Sequence, residues 1–169
     1  MYHTQMEAAR KGIITKEMEI VAEKEFRTEE EIRDLVAKGQ VAICANKRHT
    51  CLDPNGVGSA LRTKINVNLG VSKDCKDYDV EMEKVMAAVN MGAEAIMDLS
   101  SHGDTQPFRR KLTSECPAMI GTVPVYDSVI HYQRDLSTLS AKDFIDVIRL
   151  HAQDLSLIHI SEPTRHLRI

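Results

Sequence analysis

Lys64-Ile-Asn-Val-Asn68, Val80 to Met91 and Ala95-Ile-Met-Asp98 are the stretches whose reading decides the fold. The first is β-branched at alternate positions and runs into Leu69-Gly70, the signature of a strand and its stop. The second carries Val80, Met82, Val85, Met86 and Val89 at helical spacing, and the third is a second short strand. The alternation continues through a polar loop, Ser100 to Thr105, a helix from about Pro107 to Ser114, and a strand, Met119-Ile-Gly-Thr-Val123. A loop then leads to a helix from Ser140 to about Asp154, with Phe144, Ile145, Ile148 and Leu150 along it. Three strand–helix repeats of roughly thirty residues each imply a parallel sheet. Residues 61–154 are therefore expected as about the first three βα units of an α/β fold, an incomplete (β/α)8 TIM-type barrel.

Upstream, residues 1–60 form a small segment of helices and loops. Gln5 to Lys11 predicts a short helix ended by Gly12, and Thr15 is placed to cap a second helix reaching about Phe26. Both are expected on the surface. Thr28 and Glu31 have capping-box spacing, and Ile32, Leu35 and Val36 share a face before Gly39 stops that helix. Val41-Ala-Ile43 is a short apolar strand. Asn46 to Ser59, broken by Pro54, Gly56 and Gly58, is expected as loop.

Composition narrows the function. A hydrophobic fraction of 43% and a charged fraction of 28% are those of a globular protein, not a disordered one. The net charge of -3, with Lys and Arg interspersed among Asp and Glu, provides no basic field for nucleic acid. No apolar run approaches the roughly 18 residues of a membrane span, and Met1 to Arg10 has no signal-peptide core, so a cytoplasmic location is expected. In that compartment Cys44, Cys51, Cys75 and Cys116 are expected as free thiols. Cys44, His49 and Cys51 cluster within eight residues, but the spacing matches no paired zinc knuckle, and no metal ligand is assigned.

In a parallel barrel the loops after the strands carry the chemistry, so polar residues at strand ends are the candidates. These are Asn66 and Asn68, then Met97, Asp98, Ser100 and Ser101, then Thr122 and Tyr126. Asn side chains both donate and accept, which suits ring nitrogens and hydroxyls, and Asp98 is a candidate anchor for a ribose or an amino group. Any of them could instead cap a helix or hold a turn.

Four stretches carry a resemblance: Thr4-Gln-Met-Glu-Ala-Ala-Arg-Lys-Gly-Ile-Ile-Thr15, Lys64-Ile-Asn-Val-Asn-Leu-Gly70, Ile96-Met-Asp-Leu-Ser100 and Ile120-Gly-Thr-Val-Pro-Val-Tyr126. Together and in this order they resemble the front-half motifs of the phosphomethylpyrimidine synthase (ThiC) family, from about Thr4 to Asp154. The resemblance implies a radical S-adenosylmethionine enzyme in which a [4Fe-4S] cluster cleaves the cofactor and the radical rearranges 5-aminoimidazole ribotide, with zinc as a further metal of the family. It implies substrate-binding roles for Asn68, Met97 and Tyr126, each 29 residues from the next, one βα unit apart. Catalytic residues are not assigned. A small-molecule substrate is the expected partner, with a homodimer left open for the full-length protein.

Departures from the usual motifs, Ile43-Cys-Ala-Asn46 and Asn66-Val-Asn-Leu-Gly-Val-Ser72, point towards a paralogue. With Gly70-Val-Ser-Lys-Asp-Cys75 and Asp98-Leu-Ser-Ser-His-Gly103 they look more like the 5-hydroxybenzimidazole synthases of anaerobic cobamide lower-ligand biosynthesis. The thiamine-pathway product, 4-amino-5-hydroxymethyl-2-methylpyrimidine phosphate, is the alternative. Residues 155–169, with Leu155-Ser-Leu-Ile-His-Ile-Ser-Glu-Pro-Thr-Arg165, look like the translation of a sequencing adapter, so His151, His159 and His166, two of them inside it, are not read as metal ligands. The family's zinc histidines and its C-terminal cysteine cluster have no counterpart among these residues. The chain by itself is expected to be inactive, and a non-catalytic ribotide-binding or structural remnant stays open.

Overall fold

The computed structural model describes residues 2–45 and 49–154, and the backbone of 159–160. The chain forms two compact units, Met1–Ala45 with Asp53–Ile65, and Asn46–Leu52 with Asn66–Ile169.

The first unit contains α1 (Gln5–Arg10), α2 (Lys16–Glu25), α3 (Glu29–Ala37), β1 (Val41–Ile43) and β2 (Gly56–Gly58). Each helix starts on a threonine whose hydroxyl accepts a backbone N–H: Thr4 from Glu7, Thr15 from Met18 and Thr28 from Glu31. The capping box is complete, because the Glu31 carboxylate accepts the Thr28 N–H at 3.0 Å. α1 and α2 are not merely surface helices. Ala9, Met18, Val21 and Ala22 join Ile32, Val36, Val41 and Ile43 in one core, since residues three and four apart fall on one face. The expected loop 46–59 contains β2, which pairs antiparallel with β1, Val41 opposite Gly58 and Ile43 opposite Gly56. Glycine makes this pairing possible: a Cβ on Gly58, with φ +149°, would lie 2.1 Å from the Gln40 carbonyl oxygen.

The second unit is an α/β layer with strands β3 (Asn66–Leu69), β4 (Ala95–Asp98), β5 (Met119–Thr122) and β6 (His159–Ile160), all parallel and in that order. Between them come α4 (Tyr78–Asn90), α5 (Gln106–Glu115), α6 (Pro124–Tyr132), a 3-10 turn at Leu136–Thr138, and α7 (Ala141–Asp154). β3 starts two residues later than the sequence suggested; the Lys64 ammonium is already engaged at 2.6 Å by Glu25. α6 replaces the expected loop after the third strand. Pro124 occupies its first turn, where a missing N–H costs nothing. β6 pairs only Gly121 with His159 and Thr122 with Ile160. The remainder of 155–169 lies outside the described residues.

The core of this unit joins Met82 and Val85 of α4, Phe108 and Leu112 of α5, and Ile96 and Ile120 of the sheet, with Val67 and Leu69 against it. Strand side chains alternate between faces, so one face of β3 to β5 meets these helices and the other carries Asn66, Asn68, Ala95, Met97, Met119 and Gly121. Among the described residues no helix is long and apolar enough to cross a membrane.

Candidate functional site

Asn68 stands opposite Met97, and Met97 opposite Gly121, in the parallel register. Asn68 and Met97 are therefore neighbours on the sheet face that α4 and α5 leave uncovered, Asn68 exposed and Met97 half-buried. The Asn66 amide donates to the Asn68 side-chain oxygen at 2.8 Å, which orients the Asn68 amide from within its own strand. Tyr126 is not in a loop. It sits in the first turn of α6, four residues beyond Thr122, and is 50% exposed.

Asp98 is on the other face. It alternates in phase with Ile96, is 4% exposed, and accepts both the N–H (2.9 Å) and the hydroxyl (2.5 Å) of Ser100. Burial pushes its carboxyl above the ordinary range against the pull of those bonds and of the Arg109 and His151 charges. Ser100 in turn accepts the Val71 N–H at 3.0 Å, and the backbone joins the same two loops through Leu99 N–H to Leu69 and Ser101 N–H to Val71. Gly70 lies at this seam with φ +148°; a Cβ there would be 2.5 Å from the Ser100 nitrogen. Asp98 and Ser100 thus hold the loops after β3 and β4 together.

Thr122 also turns towards the helices, where it belongs to a buried network that sequence reasoning did not find. Asp127 of α6 accepts the Thr105 hydroxyl at 2.7 Å, Arg109 Nη1 at 2.8 Å and His151 Nε2 at 2.8 Å. His151 Nδ1 lies 2.9 Å from the Thr122 hydroxyl oxygen. Asp154, the last residue of α7, receives Arg110 at 2.9 Å, Gln106 at 2.9 and 3.1 Å, and Arg109 Nη2 at 3.4 Å. Burial works against the Asp127 carboxylate, but the bonds from His151 and Thr105 and the charges of Arg109 and His151 outweigh it and hold the pKa down at about 2. Arg109 Nε is buried without a hydrogen-bond partner among the described residues.

The cysteines have other engagements. His49 Nε2 lies 2.5 Å from the Cys116 carbonyl oxygen, and the Cys51 thiol donates to the same oxygen at 3.3 Å. Burial raises the thiol pKa of Cys44, Cys51 and Cys116, which disfavours thiolate ligands.

Residues 4–160 match the family described as Radical SAM ThiC, and the chain belongs to that family. Among curated relatives, it is 59% identical over 153 residues to the phosphomethylpyrimidine synthase of Alkaliphilus oremlandii, covering 90% of this chain and 35% of the relative. It is 56% identical over 153 residues to that of Clostridium kluyveri, with the same coverage. Identity to that of Clostridium botulinum is 54% over 162 residues, 94% of this chain and 37% of the relative. The chain thus spans about a third of the length of these relatives. A radical SAM family implies a [4Fe-4S] cluster and S-adenosylmethionine. The described residues do not fit a cluster or a zinc ion: no three His, Cys, Asp or Glu side chains among them gather into a metal-holding group, and three of the four thiols are raised in pKa.

Proposed function

We propose that this chain supplies the ribotide-binding strands of a phosphomethylpyrimidine synthase, a cytoplasmic radical SAM lyase that converts 5-aminoimidazole ribotide to 4-amino-5-hydroxymethyl-2-methylpyrimidine phosphate for thiamine biosynthesis. The observation that carries this is 54–59% identity, over 90% or more of the chain, to proteins of that name. The parallel sheet is read as the first strands of a (β/α)8 barrel, with the face bearing Asn68 and Met97 turned to its interior. Asn68 hydrogen-bonds the ribotide through its amide, Met97 packs on the flat imidazole, and Tyr126 offers its hydroxyl to phosphate or ribose. The second reading, 5-hydroxybenzimidazole as product, rests on Ile43-Cys-Ala-Asn46 and Gly70-Val-Ser-Lys-Asp-Cys75; the relatives' names weigh for the thiamine product instead.

Grafting residues 4–154 into the Alkaliphilus oremlandii relative, in place of the matching stretch, tests the choice. The expected product from ribotide is the pyrimidine phosphate. Formation of 5-hydroxybenzimidazole would reverse the assignment, and consumption of no ribotide by a folded graft would remove it. The 169-residue chain alone, reconstituted anaerobically with iron and sulfide, is expected to cleave no S-adenosylmethionine; 5′-deoxyadenosine above background would contradict this.

A further inference from the structure

The residue next to Tyr126 explains how that tyrosine is aimed. α6 is entered from Val123 with no side-chain cap among the described residues and with Pro124 in its first turn, and it buries Pro124, Asp127 and Ser128, so its rotation about its axis is set by that buried face. Asp127, the next residue in the same turn, faces the interior: it is 7% exposed where Tyr126 is 50% exposed. Its carboxylate is gripped by Thr105 just ahead of α5, by Arg109 of α5 and by His151 of α7, and His151 is itself braced on Thr122 at the end of β5. Consecutive helical residues are fixed at about 100° to each other, so holding Asp127 holds Tyr126. The lever is long. With a helix radius of about 2.3 Å and a tyrosine reach of roughly 6.5 Å, a rotation of about 20° carries the hydroxyl about 3 Å, a full hydrogen-bond length.

Stability alone does not account for this network. Buried ion pairs rarely out-stabilise apolar packing, and here Arg109 Nε has no hydrogen-bond partner among the described residues. What the arrangement supplies is direction. We propose that Asp127 is a positioning residue, whose anchorage by Thr105, Arg109 and His151 sets the azimuth of α6 and aims the Tyr126 hydroxyl past the end of β5. The functional meaning rests on the reading of Tyr126 as a ribotide contact.

The test uses the chain labelled with 3-fluorotyrosine and observed by 19F NMR. Its four tyrosines, Tyr2, Tyr78, Tyr126 and Tyr132, provide probe and controls, and Tyr126→Phe assigns the probe resonance by its loss. Asp127→Asn is expected to displace or broaden the Tyr126 resonance and leave those of Tyr2 and Tyr78 in place. A Tyr126 resonance that stays put overturns the proposal. So does an equal displacement of Tyr78, which would indicate general loosening of the unit. Should Asp127→Asn fail to fold, Thr105→Val, which removes one donor and no charge, decides by the same criterion. Ribotide titration of Tyr126→Phe in the grafted enzyme tests the underlying reading separately: a displaced resonance with unchanged affinity removes the ribotide contact and leaves the positioning intact.

Discussion

Each unit buries a carboxylate, and the two neutralise it differently. In the first, Glu25 closes the apolar stripe of α2 and receives the Lys64 ammonium at 2.6 Å and the Arg62 N–H at 2.8 Å, two partners from one short stretch of chain. In the second, Asp127 takes its donors from two helices, and one of them is tied onward to a strand. The first unit is otherwise held by helix caps and by an apolar core shared among α1, α2, α3 and β1. The second needs contacts between residues 18 to 48 positions apart to bring its charged groups to balance. A carboxylate met by one flexible lysine pins a segment; one met from several elements sets their mutual angles.

The contrast is broken or sharpened most strongly by truncating both carboxylates. Asp127→Ala leaves Arg109 and His151 facing a buried void and is expected to cost about 3–5 kcal/mol, measured by chemical denaturation. Glu25→Ala is expected to cost less, about 1–3 kcal/mol, because the long Lys64 side chain can redirect its ammonium to solvent. Equal losses would show that the number of tethered elements does not matter.

Acid provides the next largest effect. Asp127 is depressed from 3.8 to about 2, so its contribution is complete above pH about 4 and is lost as pH falls towards 2; the full difference is about 2–3 kcal/mol. Glu25 is also lowered, with burial opposed by the Lys64 and Arg62 bonds, and has the same sign. Asp98 is raised, so its contribution is present at low pH and declines as pH rises through its folded value. Denaturation free energies measured between pH 2 and 5 are expected to rise with pH, and Asp127→Asn to flatten that rise. An unchanged slope in the variant would contradict the assignment.

Ligand affinity comes third. In the grafted enzyme Asn68→Ala or Tyr126→Phe is expected to weaken ribotide binding about five- to a hundredfold, from the 1–3 kcal/mol of a lost polar contact. Calorimetric titration checks this, with a melting curve as control: lower stability at unchanged affinity would make Asn68 a turn residue instead.

Two smaller effects complete the series. Thr28→Ala should cost about 1 kcal/mol through the capping box of the first unit. Asp98→Asn should leave the melting temperature at neutral pH unchanged or slightly higher, since the amide retains an acceptor for Ser100 and carries no charge to bury. A large loss in that variant would show that the ionised form is required.

What could be read from the residues follows the same division. The caps at Thr15 and Thr28 and the strand Ala95–Asp98 are where the sequence put them, because each depends on neighbours a few positions away. Alternation puts Asn68 and Met97 on one face and Asp98 on the other, but grouping the candidates by strand end alone disregards face. Reading Pro124 as a loop residue hides α6, although proline at the first helical position followed by Asp127 in the first turn is a start signal. β2 was missed because two glycines in three residues argue against a strand unless another backbone runs close by, and nothing local reveals Gln40 there. The network around Asp127 had no signal of its own: Arg109, Asp127, His151 and Asp154 look individually like surface charges, and only the packing of α5, α6 and α7 gathers them.

The seam at Gly70 has a bearing on how the second unit comes into being. The bond from Val71 to Ser100 closes a span of 29 residues, and the backbone pairs beside it close spans of similar length. Loop closure over such a span carries an entropic toll before any contact compensates it, so β3 and β4 cannot zip as quickly as a hairpin does. α4, formed from local contacts, can be in place beforehand and hold the ends of that span near each other. Refolding should therefore show helical signal ahead of sheet, with the amides of Val71 and Ser101 among the later ones in this seam to gain protection in pulse-labelled hydrogen exchange. A substitution at Gly70 would then be felt first as a slower journey to the native state.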